Sequence, residues 1–79
     1  MSENNKKYIK AFKDTFSIEE NGIEKLEYQS IDNWDSIGHM TLMSAIEEAF
    51  GITFETDDII DFSSFQKGKK ILEKYKVKI

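Results

Sequence analysis

A chain of 79 residues with a formal net charge of −4 and no cysteine has room for one domain with a modest core, and it excludes disulfides and thiolate metal sites. No window is apolar for the length of a bilayer span, and the opening MSENNKKYIK lacks the apolar centre of a signal peptide, so a soluble cytoplasmic monomer is the expectation. Every basic residue is a lysine, which removes the bidentate arginine contacts that read bases and phosphates, and nucleic acid is not an expected partner.

Tyr8, Ile9, Phe12 and Phe16 recur at helical spacing and predict a first helix, Glu3–Phe16, with a lysine-rich back. Over residues 17–35 the periodicity fails. EENGIEKLEY carries an Asn-Gly turn signal followed by isolated apolar residues, Ile23, Leu26 and Ile31, which reads as a long ordered loop with room for one helical turn. The next helix is expected at Ser36–Phe50, where Ile37, Met40, Met43, Ile46 and Phe50 fall at steps of three or four. Leu42, Ala45 and Ala49 widen its apolar face, and Gly51 suits a left-handed C-terminal cap. Ile52 and Phe54 alternate as in a strand, but two apolar positions are too few to build a sheet. Thr56 is the expected N-cap of a short helix through Ile59, Ile60 and Phe62, with Asp57 and Asp58 in its first turn. Ser63 or Ser64 would then cap a last helix with Phe65, Gly68, Ile71, Leu72 and Tyr75 inward. Four helices, one of them short, predict a single all-α domain over residues 1–79, a small four-helix bundle.

Ser36, in the stretch IDNWDSIGHMTLM, admits three readings. As a nucleophile it needs a base, and the sequence offers one histidine, His39, one helical turn on. Asp35 would have to orient that ring from the wrong side, and no glycine-rich oxyanion loop is present, so His39 reads better as an exposed helix residue. As a cap, either Asp35 or Ser36 could accept an unpaired amide of the first turn. As a modification site, the same position is where an attached phosphate is best stabilised by the helix dipole and free N–H groups.

Charge is unevenly placed. Residues 17–61 hold twelve acids against Lys25 alone, a net −11, whereas from residue 67 onward six lysines face one acid, Glu73, a net +5. The acidic middle would attract basic proteins, and the lysines of the tail read as the polar side of a helix whose C-terminal dipole favours cations.

DSIGHMTLMSAIEEAFGITF, residues 35–54, closely resembles the acyl carrier protein family, in which an Asp-Ser-Leu core opens the second of four helices. Asp35, Ser36 and Ile37 fill those three places, and the similarity continues through Leu42, AIEEAF, the acidic TDDIIDF and a last helix with Ile71 and Leu72. The resemblance implies a carrier fold and 4′-phosphopantetheine attached to Ser36 by a separate, magnesium-dependent phosphopantetheinyl transferase that Asp35 helps to recognise. Acyl or aminoacyl groups would then ride as thioesters between a loading enzyme and an acyltransferase or synthase, the carrier itself not being an enzyme. It further implies partner contacts by Ile37, Met40, Thr41, Glu47 and Glu48, threonine standing at position 41 where fatty acid carriers often have an acid. An acyl space would lie among Met40, Met43, Ile46, Phe50, Phe54, Ile59, Phe62, Gly68 and Leu72. Phe54 and Phe62 are bulkier than the residues common there in fatty acid carriers, which points to short or polar cargo, and WDSIGHM is similar to stand-alone carriers of specialised pathways. The competing class is an unmodified carrier-like adaptor that binds basic proteins through the same acidic helix.

Overall fold

The computed structural model describes residues 3–79. Four α-helices occur among them, α1 Glu3–Phe16, α2 Ser36–Phe50, α3 Thr56–Asp61 and α4 Phe65–Lys74, with a 3₁₀ turn at Ile23–Lys25 inside the long loop. No strand forms among the described residues. Glu27 and Ser64 make one isolated antiparallel bridge, and the Ile52/Phe54 alternation belongs to an extended connection.

α1 buries Tyr8, Ala11, Phe12 and Phe16 on one stripe, as its spacing requires. Phe12 lies at the centre of an aromatic cluster, its ring edge-on to Tyr8 at 5.1 Å, Phe65 at 5.0 Å and Trp34 at 5.6 Å. The Tyr8 hydroxyl donates to the Phe65 carbonyl at 2.6 Å, which ties α1 to α4, and burial pushes that phenol far above its ordinary range. Gly68 makes this junction possible. A Cβ there would lie 2.2 Å from both the Tyr8 oxygen and the Phe62 ring.

The loop over residues 17–35 is packed rather than draped. Ile23 and Trp34 are buried, Asn33 Nδ2 donates to the Phe16 carbonyl at the end of α1, and Tyr28 N and Phe65 N bond the Ser63 and Leu26 carbonyls at 2.8 and 2.9 Å.

α2 begins and ends where its caps dictate, and its inward face keeps the expected residues from Leu42 to Phe50 but not Ile37 and Met40. Ile37 and Met40 are 79 % and 52 % exposed, and the buried residues are Leu42, Met43 and Ile46, with Ala45, Ala49 and Phe50 partly covered. The reason is angular: each step of three falls about 60° short of a full turn, so three such steps carry Ile46 to the side opposite Ile37. Gly51, at φ 65° and ψ 39°, closes the helix by donating to the Glu47 carbonyl.

α3 also departs from expectation at its start. Thr56 is already its first helical residue, Glu55 is the N-cap without a side-chain bond, and the helix stops at Asp61, before Phe62. Six residues cannot hold a helix by themselves. Asp58, an acid in a chain region that reads as a solvated face, is instead buried and accepts from Lys74 Nζ and the Tyr75 hydroxyl, each at 2.5 Å. The Tyr75 oxygen in turn accepts from Glu55 N at 2.9 Å, so α3 is moored to the end of α4. Of the two candidate caps for α4, Ser64 serves, accepting from Lys67 N at 2.9 Å. Phe65, Gly68, Ile71 and Leu72 are buried as expected, and Tyr75 is half-buried. No helix among the described residues is long and apolar enough to cross a membrane.

Candidate functional site

At the start of α2 the two oxygens that could cap divide the work. Asp35, extended at φ −105°, accepts from Gly38 N at 2.8 Å through Oδ1, while its carbonyl accepts from His39 N at 2.8 Å. Ser36 is the first helical residue and is exposed, with its Oγ outside the cap. The Tyr28 hydroxyl lies 3.5 Å from that oxygen, at the outer limit of a hydrogen bond.

His39, expected to be an exposed helix residue, is part-buried and engaged at both nitrogens. Its Nδ1 accepts from Trp34 Nε1 at 3.0 Å and its Nε2 lies 2.7 Å from the Ile59 carbonyl, a pair of partners that assigns the proton to Nε2. No lone pair of the ring remains for the Ser36 hydroxyl. The imidazole is a brace between the loop, α2 and α3. Stacked on Trp34 at 6.2 Å and edge-on to Tyr28 and Phe62, it closes one wall of an open groove of about 290 Å³. Tyr28, Ile59, Ile60, Phe62 and Ser63 complete the lining.

The remaining expected site residues separate into three groups. Ser36, Ile37, Met40, Thr41 and Glu48 share the outward face of α2, and Ile60 on α3, 72 % exposed, adds an apolar neighbour to the groove. Glu47 does not belong with them: it is half-buried, and its Oε2 accepts from Phe54 N at 2.8 Å, fixing the connection between α2 and α3. Of the residues expected around an acyl chain, Met43, Ile46, Phe54, Phe62, Gly68 and Leu72 are buried, and Phe50 and Ile59 are partly buried. Met40 points away from them. The space beside Gly68 is filled by Tyr8 and Phe62.

Tyr28, Trp34 and Ile60 were not singled out by sequence. A signal did exist for Trp34, since a large aromatic residue in a loop without periodicity buries area that the loop alone has no reason to carry. Among the described residues no three His, Cys, Asp or Glu side chains gather as a metal site needs. Compared with family models, curated proteins and solved structures, the chain finds no match.

Proposed function

We propose that the chain is a carrier domain of the acyl-carrier-protein type, which holds 4′-phosphopantetheine on Ser36 and presents an acyl or aminoacyl group to partner enzymes. One observation carries the reading: Asp35 takes the capping role, which leaves the Ser36 hydroxyl exposed at the head of a fifteen-residue helix. That end of a helix favours a phosphate, so the residues present fit the group. When bound, the arm supplies the thiol that a chain without cysteine lacks. The chain's own residues hold and display it. Ser36 Oγ provides the point of attachment, Asp35 fixes the backbone around it and marks it for the transferase, and His39 has no role in chemistry because both nitrogens are occupied.

Partners would dock on the outward face of α2. Ile37 and Met40 offer apolar contact there, and Glu48 is the acid of that face among the described residues. Steering of a basic partner therefore rests mainly on exposed acids outside that face, Asp32 and Asp35 before α2 and Glu55, Asp57 and Asp61 at α3. The exposure of Ile37, Met40 and Ile60 also favours a second reading, an adaptor that binds partners without modification.

Intact mass separates the two. Incubation with coenzyme A, magnesium and a broad-specificity phosphopantetheinyl transferase is expected to add one arm to the wild type and none to Ser36→Ala. A wild-type mass unchanged by every such transferase would hand the chain to the adaptor reading.

A further inference from the structure

The loop before α2 is built to hold one ring in place. Tyr28 N donates to the Ser63 carbonyl at 2.8 Å, and Gln29 N to the Trp34 carbonyl at 3.0 Å. Gln29 adopts a left-handed φ of 67°, uncommon for a residue with a side chain, and the turn is closed by Ser30, whose N and Oγ bond the Glu27 carbonyl at 2.9 and 2.7 Å. The Tyr28 ring then stands edge-on to Trp34 at 6.4 Å and to His39 at 5.5 Å. Phenylalanine would satisfy all of these ring contacts. What they leave unexplained is the hydroxyl, which ends 3.5 Å from Ser36 Oγ.

We propose that Tyr28 is a positioning residue for the phosphodiester on Ser36: its phenolic O–H donates to a phosphate oxygen. The inference rests on the carrier reading. A phosphate bonded to Oγ places anionic oxygens two bonds further out, within reach of a donor that meets Oγ itself only loosely. A hydrogen bond to an ionised acceptor is shorter and about twice as strong as a neutral one, so the contact tightens on modification. Holding the phosphate freezes the first rotations of a flexible arm in advance, which lowers the ordering cost when a partner takes the far end.

The test compares phosphopantetheinylated wild type with phosphopantetheinylated Tyr28→Phe by phosphorus NMR, alongside the melting temperatures of both unmodified proteins. Loss of the hydroxyl is expected to displace the phosphorus resonance and speed its reorientation, the held orientation weakening roughly tenfold. The unmodified proteins are expected to melt together, because the ring is retained. Resonances and relaxation that coincide in the two modified proteins would overturn the role of Tyr28 and leave the carrier reading standing. A wild type that takes no arm would overturn both.

Discussion

Gly38 sits in the first turn of α2, where glycine costs a helix about 1 kcal/mol relative to alanine. Its place is explained by the loop. A Cβ would lie 1.9 Å from the Asn33 carbonyl oxygen and 3.3 Å from the Phe16 ring. Asn33 cannot simply retreat, because its side chain holds the Phe16 carbonyl at 3.0 Å and the neighbouring Trp34 is fully buried. Gly38→Ala is therefore expected to destabilise the fold by about 1–3 kcal/mol, the usual cost of overpacking, in spite of its better helix propensity. Urea unfolding measures this as a lower midpoint at unchanged slope. A midpoint that rose would mean the Asn33 carbonyl yields freely. The same residue bears on Ser36, since Gly38 N is the amide that Asp35 caps, and a shift there moves the two residues between them, Ser36 and Ile37.

At the scale of elements, α3 depends on a single buried carboxylate. Hydrogen bonds first from Lys74 and then from Tyr75 hold Asp58 below its ordinary value of 3.8, against the opposing effect of burial. A carboxylate whose folded pKa is depressed contributes stability that is whole above the unfolded pKa and is lost as pH falls through the folded one. The wild type is thus expected to lose stability on acidification below about pH 4, and Asp58→Asn to be less stable at neutral pH with a flatter acid limb. Denaturant midpoints measured from neutral to acid pH check both, and parallel limbs in the two proteins would remove Asp58 from the account. None of this was legible in the sequence, where Asp58 is one of twelve acids in the middle of the chain and nothing local distinguishes it from Asp57. The helices themselves were legible, α2 to the residue and α1 to its end at Phe16, because capping and the 3.6-residue period are local. The face expected for α2 holds from Leu42 to Phe50 and fails at Ile37 and Met40, because a run of threes drifts round the helix and only the neighbours decide which side is covered. Ser36 stands out as a candidate for the local reason that two capping residues precede one helix; which of them caps, and the Tyr28 hydroxyl beside Ser36, depend on a loop whose pairing is not local.

Over the whole molecule, the core would leave the cargo of the proposed carrier little room. Trp34, Phe12, Phe16, Phe62 and Phe65 are buried and interlocked at ring distances of 5.0–6.3 Å about Phe12, and Tyr8 and Phe62 fill the gap that Gly68 opens. An acyl chain that entered would have to displace a ring. Giving up one buried phenylalanine costs about 3–5 kcal/mol, whereas each buried methylene returns about 0.8 kcal/mol. Roughly four to six methylenes are needed before entry breaks even, so shorter groups are expected to remain outside the bundle. The melting temperature of the loaded protein should accordingly match that of the form carrying the bare arm for short acyl groups and rise only for longer ones. A change of 1 kcal/mol moves the midpoint of a domain this size by about 4–8 °C, so calorimetry across a series of chain lengths resolves the lag. A rise beginning with the first carbons would show that the aromatic core parts without cost, and the bulk of Phe54 and Phe62 would then say nothing about the cargo.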